Sequence, residues 1–439
     1  MNSVFRRRFI GSDFLLLWFA QAGSSFGEFL FAATATVWVA TGLFPHSAHL
    51  PTFMALIVLS ATVPRIVVAP IAGVLVDRWN VRYTMVVSDA ARVLCYTVLL
   101  IVVEWESGSD AVRYWAALIV LTSGNVSAQF FNPARAALMQ VVIPEERRVE
   151  AASTSMFALT GVAMAATALG PISYAVLGVA ASISVCIGAY GLSLLMTCLT
   201  ENRSVRADDP PGHFWSEFVG GFRTAWASAP LRMVLIGVLL YGFSLGINNT
   251  ALSLYGLKTL HLEPKQYGLL SMMFPAGNLV ASISGVRLVK RYGQHRVYVL
   301  SLIGLGVGYG VYGLVRSVPV AFVTMFGCGL VFSLYVLCQG PILQEATPAG
   351  YMGRITAIST PAMALASAVG TVAVSQLLGL LISPGSGSSR AVADPYGTMI
   401  AVGAGIMLVG GVVMFAAQRK RPPDSDPAER SATATSTSG

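Results

Sequence analysis

The chain has 439 residues, with 28 Lys or Arg, 20 Asp or Glu, and a formal net charge of +8. Charged residues make up 11% and hydrophobic ones 55%, and the mean hydropathy is +0.69. Soluble proteins carry about 25% charged residues, so too few are present here to cover two or three water-facing domains. The composition excludes a soluble enzyme, a disordered chain and a nucleic-acid binder. It points to a polytopic membrane protein.

A membrane span needs roughly 20 apolar residues, and twelve such stretches follow in chain order. They lie near 14–43, 52–76, 84–104, 113–134, 151–177, 180–200, 233–257, 267–289, 297–315, 319–343, 355–383 and 397–417. The runs are continuous and do not alternate, so helices are expected rather than a β-barrel. Cys95, Cys186, Cys198, Cys328 and Cys338 all fall inside apolar runs, and no disulfide framework is expected.

The first stretch, preceded by Arg6, Arg7 and Arg8, runs on too long for a signal peptide and reads as a retained helix. Gln21, Ser24, Ser25 and Glu28 stand on it at i, i+3, i+4 and i+7, one polar face on an apolar helix. A carboxylate at mid-membrane costs about 2.5–3.5 kcal/mol on insertion scales. Glu28 must therefore be protonated, paired or facing water. Arg65, after Pro64 in the second stretch, meets the same problem, and an ion pair with Glu28 is the expected solution. The alternatives are polar side chains that join helices, and an Arg bonded to backbone carbonyls.

The loop that follows reads Gly73-Val-Leu-Val-Asp77-Arg78-Trp79-Asn80-Val-Arg82, and Asp89 and Arg92 sit at i, i+3 on the third stretch, where they can pair. The fourth stretch carries Asn125, Gln129 and Asn132 at helical spacing. In the fifth, Gly161, Ala165, Ala166, Gly170 and Pro171 provide small residues for close helix approach and a kink. The longest loop, 201–231, is polar and then amphipathic, with Phe214, Phe218, Phe222 and Trp226 four apart, as in a short helix on a membrane surface. Tyr241, Ser244 and Asn248 form a stripe on the seventh stretch, and Tyr335 and Gln339 on the tenth. The tail after 417 has the composition of a disordered segment.

The halves echo each other. After the eighth stretch, Lys290-Arg291-Tyr292-Gly293-Gln294-His295-Arg296 repeats the basic, aromatic and turn-forming pattern of the first loop. Asn80 and Gly293 are the residue types that best tolerate a left-handed turn. Twelve spans put both termini on one side. Most basic residues fall there, against Arg113, Lys258, Lys265, Arg316 and Arg390 opposite, so both termini are expected in the cytoplasm. No P-loop is present, and His46 and His49 lack the Cys or acid that a metal site would need.

The loop at Gly73–Arg82 resembles the signature of the major facilitator superfamily, with Asn80 in place of a glycine and Tyr83 in place of a base. Leu17 to Glu28, Asp89 to Arg92 and Phe131 to Arg135 are similar to its macrolide-efflux and enterobactin-exporter branch, which usually has Asp where Glu28 stands. The resemblance covers the whole chain. It implies an all-α fold of twelve transmembrane helices in two six-helix bundles, 1–200 and 232–417, related by a pseudo-twofold axis along the membrane normal. Residues 201–231 would join them, and 418–439 would be a cytoplasmic tail.

In that family the first, fourth, seventh and tenth helices line the central cavity. This implies a substrate cavity of Gln21, Ser24, Ser25, Asn125, Gln129, Asn132, Tyr241, Ser244, Asn248, Tyr335 and Gln339. It likewise implies a cytoplasmic gate of Gly73, Asp77, Arg78, Arg82, Asp89, Arg92 and Arg291, with Glu28 and Arg65 coupling proton movement. The expected function is proton-coupled efflux of an amphipathic drug, antibiotic or secondary metabolite by a monomer in the inner membrane. No catalysis, cofactor or nucleic acid is expected; the proton gradient supplies the energy, and the remaining partners are substrate, protons and lipid. An importer or facilitator, a non-transporting sensor and a lipid flippase remain as alternatives.

Overall fold

The computed structural model describes residues 12–76, 78–106, 108–143, 147–201, 228–346, 352–382 and 394–419, and all their regular structure is helical. Helix α1 (Ser12–Trp38) continues into a wide turn at Val39–Leu43, and is followed by α2 (Leu50–Val76), α3 (Val81–Glu104) and α4 (Asp110–Val142). Next come α5 (Arg148–Leu199) and α6 (Ala229–Leu254), the latter extended by a second wide turn at Tyr255–Thr259. The remainder are α7 (Pro264–Tyr292), α8 (Gln294–Leu314), α9 (Val318–Ala346), α10 (Met352–Ile382) and α11 (Pro395–Arg419). Asp77, the amphipathic segment at 214–226 and the tail from Arg421 lie outside the described residues.

Among the described residues nine helices are long and apolar enough to cross a membrane, and α7 adds a tenth as a pair bent by 61°. Two features reconcile this with twelve stretches. Polar Asn125, Gln129 and Asn132 and the cations Arg113 and Arg135 dilute the apolar run of α4, which is still 33 residues long. Helix α5 has 52 residues, about 78 Å if straight, against a hydrocarbon core of about 30 Å. It is broken at Gly178, whose φ of 83° and ψ of 174° are not helical. The hydroxyls of Ser173 and Ser182 lie 2.8 Å apart. Nine residues of straight helix would separate them by about 13 Å, so the chain doubles back there, in the gap between the fifth and sixth stretches.

Local chemistry sets the helix ends. Asn80 does not adopt the left-handed turn expected of it. Its φ is −68° and its side chain accepts from Tyr83 N at 3.0 Å, so it serves as the N-cap of α3. Gly293, between α7 and α8, does adopt a positive φ of 81°. Ser109 caps α4, and Glu263 and Gln266 form a capping box on α7.

The packing repeats along the chain. In the first part α1 lies along α5, α2 along α4, and α3 between α4 and α5. In the second, α6 lies along α10 and α11, α7 along α9, and α8 between α9 and α11. Helix α2 meets α10 and α6, and α5 meets α7, across the line between these groups. At the end opposite the termini Lys258 Nζ donates to Pro45 O at 2.7 Å, another such link. A Cβ at Gly170 would lie 2.5 Å from Leu30 O, so glycine permits the α1–α5 approach there. Gly161, read as part of the same surface, faces open space. Val98, Ile101, Trp115, Ile119, Val176, Leu177, Val323 and Val413 are exposed. Such a surface suits hydrocarbon and not water.

Candidate functional site

The centre of the first group is charged. Asp89 and Arg92, 0% and 1% exposed, face the same side of α3 about 12 and 16 Å from its start, between a third and a half of the way along it. Arg92 Nη1 lies 3.2 Å from Asp89 Oδ1. Arg92 Nε and Nη2 both donate to Gly124 O on α4, at 3.2 and 3.1 Å, and Nη1 also donates to Ser24 Oγ on α1. Ser24 Oγ in turn donates to Asp89 Oδ1, and Ser193 Oγ of α5 to Asp89 Oδ2. The guanidinium lies over Tyr190 and Phe131, 5.2 and 5.7 Å from the ring centroids. Every helix around this pair gives it a hydrogen bond or a ring, which is what a buried charge pair requires.

This placement corrects the grouping of Asp89 and Arg92 with the loop gate: they sit two to three turns away from it, inside the bundle. The loop residues themselves are spread out. Arg82 donates to Thr197 O at 3.3 Å and to Cys198 O, in the last turn of α5. The carbonyls there lack helical donors and the dipole favours a cation. Arg78 is exposed and makes no side-chain hydrogen bond with described residues. Gly73 has open space where a Cβ would stand. Arg291 is exposed and lies 5.4 Å over the Tyr292 ring.

Glu28 stands one turn beyond Ser24 on α1 and is partly buried. Its carboxylate lies within electrostatic range of the Arg92 guanidinium and of Tyr190. Among the described residues no ion pair joins it to Arg65, which corrects the expected direct contact. Arg65 is exposed and lines a different space, a groove of about 330 Å³ walled by α1, α2, α5, α6, α7 and α10. Thr36, Thr62, Asn249, Ser271 and Ser367 line the same groove. The two residues point apart because successive positions of α1 serve different neighbours: Gly27 abuts Tyr190, and Phe29 faces the groove.

The other expected cavity residues divide by burial. Ser25, Gln129 and Gln339 are partly exposed and Asn132 is exposed. Gln21 is buried, and Asn125 and Gln129 donate within α4 to Leu121 O and Asn125 O. Ser244, fully buried, donates to Gly403 O at 2.9 Å and ties α6 to α11. Tyr241 stacks on Phe332 at 5.2 Å, and Tyr335 on Tyr298 at 5.0 Å, in a buried aromatic cluster. Those three therefore hold the second group together rather than facing open space, a correction to their assignment. Asn248 is 1% exposed with both amide atoms unpaired among the described residues. Sequence reasoning missed Tyr190, Ser193 and the Gly124 carbonyl. The signal for the cluster was present in two opposite charges inside an apolar run.

Membrane-length helices, a repeated packing pattern, a buried ion pair and a polar groove between two helix groups together describe a multi-pass membrane transporter. The family model of the Major Facilitator Superfamily matches residues 17–371 and 234–438, and the chain belongs to that superfamily. It is a transporter and not an enzyme. Macrolide efflux protein A of Streptococcus pyogenes is 23% identical over 320 residues, covering 70% of this chain and 76% of that protein. Multidrug efflux pump Tap of Mycolicibacterium fortuitum is 24% identical over 374 residues, covering 82% and 86%. The crystal structure of a D-xylose–proton symporter superimposes with a TM-score of 0.68 at 14% identity, over 92% of this chain and 96% of that one.

Proposed function

We propose that this protein exports an amphipathic small molecule, of the drug, antibiotic or secondary-metabolite class, in exchange for protons. It would do so by alternating access in the cytoplasmic membrane, as a monomer with both termini inside. The observation that carries this reading is the position of Glu28 beside the fully buried Asp89–Arg92 pair. With all three groups ionised, the cluster holds one net negative charge. A proton on Glu28 neutralises it, and so does a cationic substrate near the carboxylate. Both cannot do so at once, and mutual exclusion is the condition for exchange. Arg92, bonded to Asp89, Ser24 and Gly124, would keep these contacts while Glu28 exchanges its proton.

Glu28 would take its proton from the outer side and release it inward. Gln21, Ser25, Gln129, Asn132, Asn248 and Gln339 would offer polar contacts to substrate, and Arg65 would set the charge of the groove. Asp77, Arg78, Arg82 and Arg291 would steady the cytoplasmic ends. The names of the two efflux relatives support the direction and the substrate class.

The test is accumulation of lipophilic cations and macrolide-sized neutral molecules in inside-out vesicles under an imposed pH gradient. Gradient-dependent uptake that Glu28→Gln loses supports the reading. Equal uptake by both proteins removes Glu28 as the coupling acid. Flux in the opposite direction removes export.

A further inference from the structure

A second recess lies on the outer surface of the first helix group, away from Glu28 and from the groove between the groups. It is a cleft of about 700 Å³ between α3 and α4, lined by Arg78, Trp79, Tyr83, Val87, Ala91 and Phe130 among others. Its mouth is at the terminus-side end of α3. There Trp79 stacks on Phe130 with centroids 6.0 Å apart and planes 16° from parallel. Tyr83 is 69% exposed beside them. Trp and Tyr are enriched at the level where headgroups meet hydrocarbon. Arg78 is the one charged side chain among the described lining residues, and no described residue neutralises it.

Deeper in, the lining turns apolar and continues as a stripe. Val87, Ala91, Leu94, Val98 and Ile101 stand at i, i+4, i+7, i+11 and i+14, and all five are exposed. The stripe runs about 21 Å along α3, more than the ~15 Å depth of one leaflet. The Ser127 hydroxyl also lines the cleft, without a hydrogen-bond partner among the described residues.

We propose that this cleft is a binding site for one anionic phospholipid. The headgroup phosphate meets Arg78 at the mouth, and Ser127 is placed to donate to an ester oxygen. One acyl chain fills the cleft against Phe130 and Val87 and follows the α3 stripe. A guanidinium with no acid paired to it among the described residues favours a headgroup of net negative charge over a zwitterionic one, whose own cation would stand unpaired near Arg78. A lipid here would brace α3, and with it the Asp89–Arg92 pair on the opposite, buried face of the same turns.

The test uses the full chain in vesicles that contain a photoactivatable acyl chain carried either on phosphatidylglycerol or on phosphatidylcholine. Labelled peptides are then mapped by mass. Labelling of residues 79–91 and 126–130 is expected to be about fivefold greater from phosphatidylglycerol, the factor one basic residue contributes at an anionic surface. Arg78→Gln, at an exposed position, should bring it down to the phosphatidylcholine level. Arg296→Gln, an exposed cation of the second group, should change nothing at these peptides. Ser127→Trp should fill the cleft and suppress labelling by both lipids. Equal labelling from the two headgroups, or labelling by phosphatidylglycerol that survives Arg78→Gln, overturns the proposal. So does labelling that survives Ser127→Trp.

Discussion

Arg92 of α3 donates through two of its nitrogens to the carbonyl oxygen of Gly124, on the neighbouring α4. A planar guanidinium offers five donors in fixed directions. Here they reach a backbone carbonyl on one helix, a hydroxyl on another, and the carboxylate of Asp89 one turn away. The pair is thus a joint between α1, α3, α4 and α5 as well as a buried charge.

Removing one member should be costly. Arg92→Met leaves Asp89 buried without its cation, and a loss of about 3–5 kcal/mol is expected. Arg92→Lys should also lose stability, because an ammonium cannot reproduce the forked contacts. Thermal unfolding in detergent reads both effects. An unfolding temperature unchanged in Arg92→Met would show that the pair does not join the helices.

Glu28 is expected to behave differently, since it is partly exposed and bears no direct ion pair among the described residues. Glu28→Gln should unfold at nearly the wild-type temperature and lose gradient-driven transport. Glu28→Asp keeps the acid, shortens it by one methylene, and should retain coupling. Transport assays on purified, reconstituted protein separate the three. Coupling retained by Gln, or destabilisation by Gln as large as that of Arg92→Met, would contradict this assignment.

Two glycines in the membrane provide a matched pair. A Cβ on Gly27 would stand 2.9 Å from two ring carbons of Tyr190, the ring that covers Arg92, whereas Gly161 has nothing within 4 Å. Gly27→Ala should cost about 1–3 kcal/mol by overpacking. Gly161→Ala should be neutral, or stabilise by up to about 1 kcal/mol through helix propensity. Comparing their unfolding temperatures is sufficient. A Gly27→Ala variant as stable as Gly161→Ala would mean that Tyr190 moves freely.

At the opposite end, Asp394 precedes α11 and accepts from Gly397 N at 3.1 Å, Thr259 Oγ1 at 2.9 Å and Arg316 Nη1 at 2.6 Å. This hydrogen bond to Asp394 is the largest influence holding the Arg316 guanidinium above its ordinary pKa, so Arg316 stays charged across the physiological range. Asp394→Ala should cost about 1–2 kcal/mol, chiefly through the lost cap. Asp394→Asn keeps the cap and should cost less. Arg316→Gln, at an exposed position, should have the smallest effect. An order of stabilities other than Arg316→Gln, Asp394→Asn, Asp394→Ala, from most to least stable, would show that the ion pair outweighs the cap.

The amino-acid sequence by itself determined the class, the positions of the membrane helices and the likeness of the halves. Those features depend on composition and on runs of apolar residues, which a bilayer reads locally. The turn between the fifth and sixth stretches fell at Gly178, where the apolar pattern breaks. The acid in α1 and the charges at 89 and 92 were visible as polar residues in apolar surroundings. Their partners were not. A stripe at helical spacing shows which residues share a face, but not whether that face meets another helix or open space. Ser244 and Ser24 look alike in sequence, yet one ties two helices through Gly403 and the other bonds a buried Arg. Only the tertiary structure decided that Glu28 comes within electrostatic range of Arg92 and, among the described residues, forms no ion pair with Arg65. Successive residues on a helix are rotated by about 100°, so which neighbour each one meets is set by how the other helices pack around it.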